Sequence, residues 1–349
     1  MRITRRFVSV AAAVAALAFP LLAVPAQAAN SYVALGDSYS SGVGTRSYIS
    51  DGTSCQRSVY AYPSLLAAAK GLTLNFRACS GASVADVTTT QLGALTTATT
   101  HVTITVGGND AGFAPVLTEC AKPAWMSSCM AAIDRAQYIV KSVLPGRLST
   151  LYASIKSKAP NAKVVVVGCP RIFNGVDCNA LTWFSSYEMY RLNQTADLLN
   201  GTTSAQAAAK GLTFANPTTR FVGHAVCDSA EWINGLSSPV SESYHPKVVG
   251  QRDGYAVVVA TPLTGSAFTV TSTTLQQAAL AGEAQAATQK QYAALDATVT
   301  PEEVRAPDLR SPAAAAAAAR AGVDLSSRAS IDAADRVWSQ RQAVQHARR

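Results

Sequence analysis

Short apolar runs recur along the chain up to residue 223, and stretches with helical spacing of apolar residues separate them. The runs are YVAL at 32–35, LTLNF at 72–76, HVTITVGG at 101–108, AKVVVVG at 162–168 and TRFVG at 219–223. Helical spacing is clearest at 62–71 and at 131–160. Strands that alternate with helices predict an α/β fold with a parallel sheet of about five strands, covered by helices on both faces.

Polar residues follow two of the predicted strands. Gly36-Asp37-Ser38 comes directly after the first strand, and Gly107-Gly108-Asn109-Asp110 follows the third. Ligands bind at the carboxyl ends of the strands in open parallel sheets, so both segments lie on the edge where a site is expected. Ser38 is either a helix N-cap or a nucleophile, and Asn109 is either a turn residue or an amide donor to developing negative charge.

A glycine and a histidine extend this candidate site. Gly81, in ACSGAS, is either a simple turn or a position where a backbone N–H approaches a substrate closely. A serine nucleophile needs a base within hydrogen-bond reach. His101 begins an apolar strand and His224 lies in a loop beside a cysteine, so both are predicted to be structural, and His245 in SYHP is the preferred base.

Four short blocks together resemble the GDSL, or SGNH, hydrolase superfamily: GDSYSSG, CSGAS, GGND and SYHP. They occur in the order of that family, and the resemblance covers residues 30–262. Three pairs of cysteines, described below, and the FVGHAVC segment further resemble the secreted actinomycete (Streptomyces-type) branch of this superfamily, which contains lipases, esterases and phospholipases. The resemblance implies a three-layer α/β/α, flavodoxin-like fold that hydrolyses carboxylic esters of lipids, with phospholipids as a further substrate class.

The resemblance also assigns roles to individual residues. Ser38 is carried over as the nucleophile and His245 as the base. The oxyanion hole would consist of the Ser38 N–H, the Gly81 N–H and the Asn109 side chain. This chemistry requires no metal and no cofactor.

The pattern offers two candidates for the group that orients the His245 ring. The superfamily usually has Asp three residues before its histidine, whereas this chain has Glu242 there. Glu carries one more methylene group, so its carboxylate would overshoot the imidazole unless it folded back. A backbone carbonyl also fixes the tautomer, and that of Ser243 is the nearest. We therefore predict a Ser38–His245 dyad supported by the Ser243 carbonyl, with Glu242 as an alternative third member.

Seven cysteines in an exported chain indicate disulfides. Proximity along the chain favours two pairs and the third closes a longer loop, although the sequence alone leaves the connectivity open. The predicted pairs are Cys55–Cys79, Cys120–Cys129 and Cys178–Cys227. Cys169, which follows a strand, remains as a buried and unreactive thiol.

The two ends of the chain differ in composition from its middle. Residues 1–28 have a basic start, an apolar stretch and Ala26-Gln27-Ala28, and predict a secretory signal peptide, with a membrane anchor as the alternative. The catalytic domain is predicted at 29–265. Residues 266–349 are Ala-rich and are expected to form a loosely attached helical or partly disordered extension, with helices beginning after Thr300 and Ser311.

The distribution of charge argues against one class of function, nucleic-acid binding. The formal net charge is +8 and falls to +5 without the three arginines of the predicted signal peptide. The remaining basic residues form no dense stripe, which argues against nucleic acid as a partner. We expect a secreted monomer that contacts lipid aggregates only transiently. The alternatives are a carbohydrate acetylesterase on the same scaffold and a non-catalytic secreted binding protein.

Overall fold

A five-stranded parallel sheet forms the centre of the computed structural model, which describes residues 30–348. The strands are β1 Ser31–Gly36, β2 Thr73–Phe76, β3 His101–Thr105, β4 Lys163–Val167 and β5 Thr213–Ala215. Their order is β2-β1-β3-β4-β5, and all four neighbouring pairs are parallel. The predicted three-layer α/β/α fold is confirmed. The predicted signal peptide lies outside the described residues.

Helices cover both faces of the sheet and continue to the end of the described chain. In chain order they are α1 Ser38–Ser41, α2 Tyr62–Lys70, α3 Val84–Asp86, α4 Phe113–Cys120, α5 Cys129–Tyr138, α6 Leu144–Lys158, α7 Ser186–Ala209, α8 Val257–Thr264, α9 Ser272–Leu280, α10 Gly282–Lys290, α11 Ala293–Asp296, α12 Pro312–Ala321 and α13 Arg328–Ala347. Short 3₁₀ turns and π-helical turns lie between or extend several of them, including Val240–Glu242 and Gly250–Ala256.

The fifth strand differs from the prediction. TRFVG at 219–223 does not form a strand, because Thr218–Phe221 is a 3₁₀ turn that follows Pro217. The strand beside β4 is instead the three-residue segment Thr213–Ala215, which begins shortly after α7 ends. A run of three residues is too short to show an alternating pattern. The sequence pattern therefore favours the more apolar segment after it as the fifth strand.

The three predicted disulfides are present: Cys55–Cys79, Cys120–Cys129 and Cys178–Cys227. Cys169 carries a free thiol, and burial raises its pKa well above the ordinary value. In the part of the chain that the structure describes, no helix combines the length and apolar character needed to cross a bilayer.

The C-terminal extension is not loosely attached, contrary to the expectation from its composition. Helix α9 packs on α2, and α10 packs on β2. At the end of α11, the fully buried carboxylate of Asp296 accepts hydrogen bonds from Arg57 at 2.7 Å and from Arg77 at 2.6 Å. Both arginines lie in the part of the chain before the extension and are themselves buried. The apolar pattern missed this contact because it depends on charge rather than on an apolar face.

A second contact holds the far end of the extension. Ile331 of α13 packs in a cluster with Trp125 and Trp183, away from the main core. The Asp335 carboxylate accepts the Ala124 N–H at 2.7 Å, and Asp332 accepts the indole N–H of Trp183 at 2.9 Å. The extension is therefore fixed to the catalytic domain at two separated places.

The helix predicted to begin at Thr300 is absent. Residues 299–308 have no regular secondary structure, whereas α12 begins after Ser311 as predicted. Pro307 restricts the residue before it to extended conformations, so a helix from Thr300 would end within about six residues. Val299 and Val304 of this segment are buried instead.

The buried ion pairs of Asp296 predict a large loss of stability on its removal. We expect Asp296→Ala to lower the free energy of unfolding by about 3–5 kcal/mol, because it leaves two buried guanidinium groups without this partner. Urea unfolding measures the change. The control is Asp197→Ala, which removes an arginine partner that is largely exposed and should cost about 0–1 kcal/mol. Equal losses in the two variants would contradict the assigned role of Asp296.

Candidate active site

Ser38 lies at the sharp turn from β1 into α1. Asp37 is the N-cap of α1, and its Oδ1 accepts the Tyr39 N–H at 3.1 Å and the Thr105 hydroxyl at 2.5 Å. Ser38 is thus the first helical residue, and its hydroxyl is free for another role. Gly36 permits the turn: its φ is +122°, and a Cβ there would lie 2.3 Å from the Thr105 carbonyl oxygen.

The Ser38 hydroxyl meets the His245 ring. The distance from Ser38 Oγ to His245 Nε2 is 2.7 Å, and His245 Nδ1 lies 2.9 Å from the Ser243 carbonyl oxygen. A carbonyl oxygen only accepts hydrogen bonds, so Nδ1 carries the proton. Nε2 then has a free lone pair, and it accepts the hydrogen bond from the Ser38 hydroxyl. This is the protonation state that a general base needs.

The backbone at Tyr244 brings Ser243 and His245 together. Tyr244 has a φ of +61°, which is unusual for a large side chain, and two bonds hold it there. Its N–H donates to the Asn234 carbonyl at 3.0 Å, and its own carbonyl accepts the Tyr39 hydroxyl at 2.9 Å. The Ser243 carbonyl therefore faces the imidazole through a fixed turn.

The Glu242 carboxylate makes no hydrogen bond to the His245 ring, so the alternative of a carboxylate third member is not supported. Only the backbone carbonyl of Glu242 meets His245, where it accepts the His245 N–H at 3.4 Å. The buried carboxylate of Glu242 instead accepts hydrogen bonds from the Tyr48 hydroxyl at 2.8 Å and from Arg46 at 3.2 Å. Glu242 ends the turn Val240–Glu242, and the Ser243 carbonyl occupies Nδ1 of the imidazole.

Three hydrogen-bond donors surround the space beside Ser38. In the described chain, no acceptor takes the backbone N–H of Ser38 or of Gly81. Asn109 Nδ2 donates to the Ala82 carbonyl at 3.0 Å, which orients the amide and leaves its second N–H available. Ser38, Gly81 and Asn109 line one pocket together with His245. The structure thus brings together the residues predicted for an oxyanion hole, whose role remains a prediction.

Burial sets the electrostatics of the site. Desolvation is the main cause that lowers the pKa of His245 to about 4, and the hydrogen bond to Ser243 opposes it only in part. Desolvation also raises the pKa of the Asp37 carboxyl to about 6. His245 is therefore neutral at pH 7, in the state that accepts a proton.

An apolar cavity of about 90 Å³ opens beside Ser38. It lies between helices α4, α5 and α7 and the segment after β4, and its lining includes Val116, Val140, Phe173 and Leu199. Ser38 and Asn109 lie at its polar end. Dry apolar cavities of this kind bind hydrocarbon groups.

Comparison with known proteins places this site in a family. The model of the GDSL-like Lipase/Acylhydrolase family matches residues 34–252. This chain belongs to that family. Lipase 1 of Streptomyces coelicolor is 46% identical over 72% of this chain and 94% of its own length. The lipase of Streptomyces rimosus is 42% identical over 74% of this chain and 98% of its own length.

Two solved structures of the family superimpose on the catalytic domain. The extracellular lipase of Streptomyces rimosus has a TM-score of 0.63 at 42% identity. The superposition covers 67% of this chain and 100% of the lipase. Phospholipase A1 of Streptomyces albidoflavus also has a TM-score of 0.63, at 41% identity, with 67% of this chain and 99% of that chain covered. A third of this GDSL-family chain has no counterpart in either structure.

Two further histidines, His101 and His224, are not among the residues that line the site. His101 begins β3 and bonds to the Thr100 hydroxyl, and His224 stacks on Trp232 at 3.8 Å and bonds to the Ala230 carbonyl at 2.7 Å. Sequence reasoning missed Gln91, whose side-chain amide bonds both the N–H and the carbonyl of Gly36. A lone glutamine in a polar segment gives no sequence signal for such a contact.

The geometry predicts different effects of Glu242 and His245 on ester hydrolysis. Glu242→Gln keeps an acceptor for Tyr48, so kcat/KM should fall by less than about tenfold, or 1.4 kcal/mol. His245→Ala removes the base and should lower kcat/KM by about 10²–10⁴-fold. Steady-state kinetics of the two variants measures both effects. An equal loss in Glu242→Gln would show that the carboxylate, rather than the Ser243 carbonyl, supports His245.

The lowered pKa of His245 predicts an unusual pH profile. The base is active when neutral, so kcat/KM should hold from pH 7 to about pH 5 and be halved near pH 4, where His245 becomes protonated. Protonation of Asp37 should cause no further change in kcat/KM near pH 6. Both hydrogen bonds of its carboxylate are accepted by Oδ1, so a proton on Oδ2 leaves them intact.

Two controls accompany the pH profile. The Glu302→Gln, Glu303→Gln double variant removes the other titratable groups that line the pocket and should keep the same limb. Circular dichroism at each pH shows whether the protein remains folded. A midpoint near the ordinary histidine pKa of about 6.5 would contradict the burial of a neutral base.

Proposed function

We propose that this protein is a secreted serine esterase that hydrolyses carboxylic esters with long apolar acyl chains, such as those of lipids. The single observation that supports this most is the 2.7 Å contact between Ser38 Oγ and His245 Nε2 at the polar end of an apolar cavity. The catalytic domain would span residues 29–265, and the protein would act as a monomer with the ester lipid as its partner.

The mechanism follows from the assigned tautomer. Ser38 Oγ attacks the ester carbonyl while its proton moves to His245 Nε2, and the Ser243 carbonyl steadies the resulting imidazolium through Nδ1–H. The Ser38 and Gly81 N–H groups and the Asn109 amide would stabilise the oxyanion, each by about 2.7–4 kcal/mol. His245 then protonates the leaving alcohol. Water repeats these steps in reverse and frees the acid.

The apolar cavity supports an acyl chain longer than acetyl, whose first methylene groups would lie in it. An acetyl group needs almost no room beyond its carbonyl carbon, whereas this cavity extends from Ser38 between α4, α5 and α7. Burial of each methylene group would contribute about 0.8 kcal/mol. The relatives named lipase and phospholipase A1 support lipid esters as the substrate class, and phospholipids are the finer proposal.

Secretion is supported by sequence and by likeness. The signal-peptide pattern at residues 1–28, the three disulfides and the extracellular relative from Streptomyces rimosus all favour an exported protein. Disulfides persist in oxidising compartments, which fits this location.

A chain-length series tests the proposal. Ala196 lines the cavity on α7, so Ala196→Phe should lower kcat/KM for methyl laurate by about tenfold or more while sparing methyl acetate. Ala205→Phe on the exposed side of the same helix is the matched control and should change neither rate. Ser38→Ala should abolish hydrolysis and labelling by a fluorophosphonate probe.

The same series separates the rival functions. A steep preference for acetate in the unaltered protein would favour the carbohydrate acetylesterase. A protein that hydrolyses no ester and takes no label at Ser38 would be the non-catalytic binding protein, and the proposal would be wrong.

A further inference from the structure

The segment between α11 and α12 runs across the candidate active site. We call residues 297–305 the strap. Its first end follows Asp296, which is held by Arg57 and Arg77, and its last residue, Arg305, donates its N–H to the Thr118 hydroxyl at 2.9 Å. Val299 and Val304 are each 3% exposed, so the strap is also fixed by apolar contacts along its length.

The strap touches Gly81 directly. A Cβ at Gly81 would lie 2.6 Å from Pro301 Cα and 2.8 Å from the Thr300 carbonyl oxygen. The strap backbone therefore rests on the glycine whose N–H is proposed for the oxyanion hole. A side chain at position 81 would push the strap away.

The strap also closes the space above Ser38. Pro301, Glu302 and Glu303 line a pocket with Ser38 and His245, and the volume of that pocket is about 10 Å³. A single water needs roughly 10–15 Å³. The pocket therefore has room for a small alcohol group such as methanol but is narrow beside a glycerol backbone.

This pocket lies where the alcohol part of an ester has to sit. Ser38, Asn109 and Phe113 line both this pocket and the apolar cavity, so Ser38 lies between the two. An acyl chain that fills the apolar cavity leaves only the pocket under the strap for the alcohol. A glycerol backbone does not fit there while the strap is in place.

We propose that the strap is a built-in cover that admits water but excludes bulky alcohols, so that hydrolysis of lipids requires its displacement or cleavage. This inference rests on the proposed esterase function. The strap lies beyond residue 252, where the family match ends, and the lipase of Streptomyces rimosus matches only 67% of this chain over its whole length. The family match thus does not extend to the strap.

The chain beyond the strap offers a route to its release. Arg305, Ala306, Asp308 and Arg310 are exposed and lie outside regular secondary structure. Exposed segments of this kind are preferred sites of proteolysis, and two arginines are targets of trypsin-like proteases. A cut there would free one end of the strap while the anchor at Asp296 remains.

A cut placed in the folded full-length protein tests the inference. A recognition site for a specific protease replaces residues 305–310, and the control carries the same site in the turn at 322–327 between α12 and α13. Cleavage at 305–310 should raise the hydrolysis rate of a long-chain triacylglycerol and the labelling rate of Ser38 by a bulky fluorophosphonate by about tenfold or more, whereas the control cut should change neither.

A point variant in the uncut chain gives a second arm. Val304→Ser loosens the buried part of the strap and should raise both rates in the same direction. Val337→Ser, which alters an exposed valine of α13, is its control. This arm decides the question if circular dichroism shows that the cut protein has lost its fold.

The outcomes separate the inference from the proposed function. Unchanged rates after the strap cut, or an equal rise in the control, would overturn the cover while leaving the esterase intact. A protein whose Ser38 never reacts with the probe and which hydrolyses no ester would overturn the esterase function, and the cover with it.

Discussion

The hydrogen bond between Ser38 and His245 is the contact on which the candidate site depends, and it joins residues that are 207 positions apart in the chain. The fold brings the two side chains to hydrogen-bond distance, although no other contact joins Ser38 directly to His245. The parallel sheet presents Ser38 at the carboxyl end of β1, and the turn at Tyr244 presents the imidazole with its Nδ1 already bonded to the Ser243 carbonyl. Because the neighbours of each side chain already fix its position, little conformational entropy is lost from these two groups when substrate binds.

Burial gives this contact its chemical properties. A charged imidazole is disfavoured where water is scarce, so the neutral base persists far below the ordinary histidine pKa. The same low dielectric strengthens hydrogen bonds from fixed N–H groups to a developing oxyanion. A backbone carbonyl stabilises an imidazolium less than a carboxylate does, because it carries no full charge. The N–H donors at Ser38 and Gly81 would therefore supply much of the transition-state stabilisation.

The sequence predicted the parts of the structure that depend on local pattern. Strand β1 with Ser38, strand β3 with Asn109, and the disulfides lie where short motifs and spacing placed them. It failed for β5, where three residues carry no periodic signal. For Glu242 it left the alternative of a third catalytic member open, because neither the direction of this side chain nor its partner Tyr48 is encoded locally. The extension was misjudged for a related reason: Asp296 stabilises it through two arginines more than 200 residues earlier in the chain, and a lone aspartate gives no sequence signal.

That ion-pair cluster ties the stability of the extension to that of the earlier part of the chain, which contains Arg57 and Arg77. Arg57 keeps a second carboxylate partner in Asp51, but Arg77 has Asp296 as its charged partner and also bonds Gln289 of α10. Removal of the extension would therefore leave the Arg77 guanidinium without either contact on the surface of β2. A cover anchored in this way can open at the strap without dissociating at Asp296, because the buried charges resist separation far more strongly than the few apolar contacts of Val299 and Val304 do. The distribution of contacts thus favours a hinge-like release of the strap over release of the whole extension.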